Sequence, residues 1–118
     1  MTERYCEGER FTGLSFAGEV FESCDFADCV FVDCSFTKCG LDHTTLNECR
    51  FVWCEMQLAN FKGTELHETE FYQCDLRKAD FRDAAGYKVD ILGSRLKDAK
   101  FSLPEAVNLL ADLKIKLS

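Results

Sequence analysis

Eight cysteines in a chain of 118 residues raise the question of a disulfide framework, a metal centre or a reactive thiolate. Their spacing bears on all three. Cys24, Cys29, Cys34 and Cys39 follow one another at intervals of five, Cys49, Cys54 and Cys74 fall on the same count, and Cys6 alone stands off that column. Disulfide frameworks do not keep the period of a packed core. Thiols that all point inward fill the interior and leave no room for a tetrahedral metal site. The two histidines, His43 and His67, fall on outward positions, and no Ser/His/Asp or Cys/His arrangement activates a nucleophile. The glycines are scattered singly and form no loop that would cradle a phosphate. No catalytic, cofactor-binding or metal-binding residue is predicted, and no cofactor; the expected protein is not an enzyme.

What must position the cysteines is an element with a period of five. Steps of five from Phe11 to Phe101 meet Phe, Leu, Met or Ile every time except at Gly86, through Phe31, Phe51, Phe71 and Ile91 among others. Two residues before each of these centres lies a small side chain, as at Cys34, Thr44, Cys54, Ala59 and Ala79. A helix of 3.6 residues per turn would spread this period round all its faces. In a long flat strand, an odd period would send successive centres to opposite faces. A short extended piece remains, pointing in, out and in, followed by a two-residue turn. Such units bury a core only by stacking on their neighbours.

Ala59-Asn60-Phe61-Lys62-Gly63 and Ala79-Asp80-Phe81-Arg82-Asp83, with Cys24-Asp25-Phe26 and Cys74-Asp75-Leu76, resemble the motif of the pentapeptide-repeat family. The resemblance covers nearly the whole chain. It implies an all-β fold, a right-handed quadrilateral β-solenoid of about five coils. Four pentapeptides make one coil in that family, so residues twenty apart stack and Cys34 comes to lie over Cys54 and Cys74. Stacked Cβ atoms with parallel vectors sit roughly 4.7–4.9 Å apart, beyond the usual disulfide reach of about 3.5–4.5 Å. Free, buried thiols and a cytoplasmic location are therefore expected. The chain departs from the motif in its cysteines, in Gly86, and in Glu9 and Glu19 at inward positions, where unpaired carboxylates are costly.

A single domain over residues 1–118 is expected, with a lead-in as far as Gly8, coils over about 9–101 and a bulge or loop at Gly86–Asp90. The register resumes at Ile91. Ser102-Leu103-Pro104-Glu105 reads as a capping box for a C-terminal α-helix over about 103–113. That helix would cover the last coil, and in some members of the family the same end joins two chains. The alternation Leu113-Lys114-Ile115-Lys116-Leu117 suits such a contact or a tail folded back on its own chain. Net charge is −7, which argues against direct nucleic-acid binding. No cleavable leader is visible at Met1-Thr2-Glu3-Arg4, and no run approaches a membrane span.

With the interior filled, function falls to the outward positions. On the side of Phe31, Phe51 and Phe71, an apolar stripe forms from Val32, Val52, Trp53 and Tyr72, extended by Val30 and Leu92, and it reads as a surface for a protein partner. On the side of Phe26, Leu46 and Leu66, the outward residues Asp25, Asp28, Glu48, Glu65 and Glu68 make an acidic face; like charges stacked in register repel. The expected function is protein interaction, through a protein partner or a homodimer built on the C-terminal helix. The alternative implied by the resemblance is a DNA mimic that binds DNA gyrase or topoisomerase IV and protects against quinolones.

Overall fold

In the computed structural model, which describes residues 4–103 and 105–113, residues twenty apart lie side by side. Arg10–Thr12 pairs in parallel with Val30–Val32, that with Arg50–Val52, and that with Glu70–Tyr72. Among the described residues ten strands are arranged in parallel ladders: β1 (Tyr5–Glu7), β2 (Arg10–Thr12), β3 (Val20–Ala27), β4 (Val30–Val32), β5 (Gly40–Asn47), β6 (Arg50–Val52), β7 (Glu70–Tyr72), β8 (Asp80–Phe81), β9 (Lys88–Val89) and β10 (Lys100–Phe101). Further single bridges such as Ser35 with Glu55 and Asn60 with Asp80 keep the same register. The result is an all-β parallel solenoid of about five coils, each with four sides.

The corners explain the count of five. Among the described residues twelve non-glycine residues have a positive φ, and every one of them, from Ser23 to Asp98, lies two places after a centre. Gly8, Gly13, Gly18 and Gly63 occupy the same position. A left-handed residue there turns the chain in most pentapeptides, His43 being an exception, at a cost of about 1 kcal/mol for a residue with a Cβ.

The phenylalanines stack along the axis at the strand spacing. Centroids lie 4.9 Å apart for Phe11–Phe31, 4.8 Å for Phe31–Phe51 and 4.9 Å for Phe51–Phe71. A second ladder, Phe61–Phe81–Phe101, repeats the spacing at 4.7 and 5.0 Å and meets the first edge to face. All eight cysteines are buried and none forms a disulfide.

The small column has its own logic. On some sides the centre carbonyl accepts the backbone N–H three residues on, as at Phe36, Met56, Phe61 and Leu76, and the residue standing over it in the next coil is Ala59, Ala79, Ala84 or Ala99. On the other sides the carbonyl points down the axis and a thiol or hydroxyl in the next coil donates to it. Cys34 reaches Phe11, Cys54 reaches Phe31 and Cys74 reaches Phe51 at 3.3–3.5 Å, and Thr64 reaches Leu41 at 2.8 Å. Cysteine and threonine thus stand where a small side chain must also donate; Cys39, over the turn-bonded Phe16, is the exception.

Four expectations need correction. The ladder begins before residue 9: Tyr5, Cys6 and Glu7 pair with Asp25, Phe26 and Ala27, so Cys6 is a centre rather than part of a lead-in. Glu9 and Glu19 are exposed, with no described residue stacked over them. In the last coil Glu70 pairs with Lys88 and Phe71 with Val89, two residues short of twenty, and the count is restored where Asp75 bridges Arg95. Val89, not Ile91, therefore stands under Phe71. Gly86 makes the slip possible: at φ +85° a Cβ would lie 2.8 Å from the His67 Cα. Tyr87 fills the vacated core space, 5.6 Å from both Phe81 and Phe101. Its buried hydroxyl has no hydrogen-bond partner, and burial pushes its pKa up to about 12.

The C-terminal segment Glu105–Leu113 is a 3-10 helix, not an α-helix. It packs beside β9, with Leu109 against the core. The residues expected as a capping box tie it to the solenoid. Asp83 N–H donates to the Ser102 hydroxyl at 3.1 Å and Gly86 N–H to Glu105 at 3.4 Å, while the Ser102 carbonyl accepts from Ala106. The alternating tail from Lys114 onward lies outside the described residues.

Candidate functional site

Parallel pairing brings the apolar stripe together on one side. Val32, Val52 and Tyr72 are paired residues of β4, β6 and β7, and Trp53 follows Val52 at the corner. Val32 and Val52 are half-buried, while Trp53 is 60% and Tyr72 38% exposed. The stripe ends at Tyr72, because the slip puts Asp90 next on the ladder, its N–H donating to the Phe71 carbonyl. Leu92, expected to extend it, is exposed in the loop beyond, at 76%.

Two polar contacts hold the aromatics. The Trp53 indole N–H donates to the Gln73 side chain one coil on. Arg50 lies 3.4 Å from Glu70 and 5.6 Å from the centre of the Tyr72 ring, whose hydroxyl donates to Glu70. Beside Trp53 a shallow groove of about 400 Å³ runs over Gln57, Gln73 and Arg95. Within it Gln57 donates to Asp75 at 3.0 Å and Asp75 is gripped by Arg77 at 2.6 Å, while Thr37, outside the groove, donates to Gln57 at 3.2 Å. That guanidinium hydrogen bond holds the Asp75 carboxyl below its ordinary range.

Asp25, Asp28, Glu48, Glu65 and Glu68 are all exposed, and Asp28, Glu48 and Glu68 occupy successive corners of one edge. The repulsion expected among them is relieved at one end. Lys88, brought into line by the slip, approaches Glu68 at 2.6 Å, and that hydrogen bond lowers the Glu68 pKa. Asp25 accepts a 2.8 Å hydrogen bond from Thr45. Reading Lys88 as part of an irregular loop hid this partner. Among the described residues no group of three or more His, Cys, Asp and Glu is placed to hold a metal ion, and no helix is long and apolar enough to cross a membrane.

A four-sided parallel coil with phenylalanine ladders, small inward side chains and left-handed corners defines a pentapeptide solenoid. The chain belongs to the pentapeptide-repeat proteins: the family described as pentapeptide repeat region matches residues 21–102. Among solved structures it is similar to a trypsin-treated form of QnrB1, a plasmid-mediated fluoroquinolone resistance protein, at 17% identity and a TM-score of 0.46 over 99% of both chains. It is also similar to a pentapeptide repeat protein of the Arabidopsis thaliana thylakoid lumen, at 16% identity and a TM-score of 0.43, covering 88% of this chain and 76% of that one. HetL, a protein of the cyanobacterium Nostoc involved in heterocyst differentiation regulation, is similar at 10% identity and a TM-score of 0.29, over 84% and 87% of the two chains. No curated protein matches the sequence.

Proposed function

We propose that the chain is a non-enzymatic interaction module that holds a protein partner on the stripe of Val32, Val52, Trp53 and Tyr72. One observation carries this reading: Trp53, with φ 53° and 60% exposure, places the largest side chain at a corner where glycine would sit without strain. The core makes no use of it, and an exposed tryptophan beside tyrosine and Arg50 has the composition of a binding hot spot. Two substitutions test it. Trp53→Gly removes the aromatic and suits the backbone; Trp53→Glu adds charge at the same point. Capture of partners from the source cell should fail for both variants with melting temperature unchanged or raised, and unaltered capture by both refutes the reading. Self-association through the C-terminal helix belongs to the same proposal, and sedimentation of the full chain against a Val107→Glu variant, on the exposed side of that helix, measures it.

A second reading, the DNA mimic that binds gyrase or topoisomerase IV, draws support from the exposed acidic corners Asp28 and Glu48. Pairing of Glu68 with Lys88 breaks that acidic line after two coils. Protection of gyrase supercoiling from a quinolone, abolished by Asp28→Lys with Glu48→Lys, would favour this reading over the first.

A further inference from the structure

Two hollows on the surface of the solenoid join into one. The groove of about 400 Å³ beside Trp53 and a second of about 210 Å³ over Ser15, Asp33 and Ser35 are both bounded by Glu55. Together they make a trough along the corner where the side of Phe51 turns into the side of Met56. Its floor has one residue per coil: Ser15 bridges Ser35, Ser35 bridges Glu55, Glu55 bridges Asp75 and Asp75 bridges Arg95. Four steps at the strand spacing of about 4.8 Å give it a length of roughly 19 Å.

The trough offers side chains, not backbone. Its floor N–H groups are already bonded between coils, Ser35 to the Leu14 carbonyl at 2.9 Å and Glu55, Asp75 and Arg95 to those of Cys34, Cys54 and Cys74 at 3.0 Å, so a polypeptide finds no ladder to extend. Charge favours no polyion either. Asp33, Glu55 and Asp75 stand against Arg77 and Arg95, which matches neither a run of phosphates nor a run of lysines. Gln57, Asp75 and Arg77 are locked to one another, whereas among the described residues the side chains of Asp33, Glu55 and Arg95 make no hydrogen bond or ion pair. The Trp53 N–H is tied to Gln73, and what remains to a ligand is the exposed ring as an apolar wall. Hydroxyl, carboxylate, amide and guanidinium groups at one-coil intervals beside an aromatic ring suit a ligand with donors and acceptors on every unit and an apolar ring face. We propose that the trough binds a linear, neutral oligosaccharide, about one pyranose per coil, with one sugar ring on Trp53 and sugar hydroxyls on Glu55 and Arg95. This site stands on the trough and not on the stripe, with which it shares Trp53 alone.

The test titrates linear tetramers of β-1,4-linked glucose, β-1,4-linked N-acetylglucosamine and α-1,4-linked glucose into the isotope-labelled full chain, with glucose, tetralysine and tetraglutamate alongside. At least one neutral tetramer should saturate with a Kd of about 1 mM or tighter, shift the amides of Ser35, Glu55, Asp75 and Arg95 together, and change the Trp53 fluorescence. Its affinity should hold as salt is raised from about 0.05 to 0.5 M, and glucose should bind about tenfold more weakly or worse. Glu55→Ala, which removes an exposed side chain without a bond in the fold, and Trp53→Gly, followed by the amide shifts, should each weaken the tetramer about tenfold. Tyr72→Ser should leave sugar binding unchanged while it impairs partner capture, which keeps the failure of one surface apart from the failure of the other. No saturation by any tetramer at about 10 mM overturns the proposal. So do shifts centred away from the floor residues, an unaltered affinity in Glu55→Ala, or tighter binding of tetralysine or tetraglutamate than of every sugar.

Discussion

Phe51→Ala is the substitution that most directly tests the stacking register. The ring is fully buried, 4.8 Å from Phe31 above and 4.9 Å from Phe71 below, nearly parallel to both, with the edge of Phe36 at 5.4 Å. Removing a buried phenylalanine costs about 3–5 kcal/mol. The upper half of that range applies, because rigid coils above and below cannot collapse into the space and two stacked contacts are lost with it. For a chain of this size each kcal/mol moves the midpoint by about 3–5 °C, so Phe51→Ala should melt roughly 12–25 °C lower. Phe11, in the first described coil, is half-buried and is stacked on Phe31; its truncation should cost about half as much or less. Urea melts followed by circular dichroism, with Trp53 fluorescence as a second probe, measure both. Equal losses for the two variants, or a Phe51→Ala loss under about 1 kcal/mol, would refute the register.

Burial pushes the Cys39 and Cys49 thiols up to about 12, and in Cys54 the hydrogen bond with Cys74 together with burial pushes the thiol well up. The unfolded chain loses these protons near pH 8.5, so the thiols favour folding fully below that pH and stability falls as pH rises from there toward 12, by about 1.4 kcal/mol per unit for each such thiol; a melting temperature that stays flat between pH 8 and 10.5 contradicts this. Leu58 has φ 60° and is 48% exposed, so Leu58→Gly should change stability by no more than about 1 kcal/mol, in the stabilising direction where relief of strain exceeds the added unfolded-state entropy; Leu41→Gly, by contrast, should unfold the protein. Tyr87→Phe removes a buried hydroxyl that has no partner and should raise stability by about 1 kcal/mol, read in the same urea melts; a loss of that size would mean the hydroxyl is satisfied in solution.

The solenoid was legible because a single period carries both the core and the corners: a Phe at every fifth place can face inward only if the chain turns once per unit. The side that gathers Val32, Val52, Trp53 and Tyr72 followed from the same count. The last coil was not legible. Gly86 and Tyr87 shift the register by two, and nothing in a count of five says whether a gap is closed by a loop or by a neighbour sliding into the core. That one shift moved Val89 beneath Phe71, ended the stripe, and delivered Lys88 to Glu68. The division between cysteine and alanine was on the page as a pattern without a reason, since it depends on which carbonyls the turns have already used. The C-terminal helix was visible as an amphipathic run, but its type was not, because Ser102 and Glu105 bond to the coil beside them as well as opening a helix.

Because the ladders join each coil to the one before and the one after it, the molecule has the mechanics of a spool. Tension applied to the N-terminal strand would not have to overcome the whole core at once. It would unwind one coil, freeing roughly 60–70 Å of chain, before meeting the next set of rings and hydrogen bonds. Resistance to pulling should therefore repeat along the axis in nearly equal steps, and it should change where the ladder skips two residues beneath Phe71.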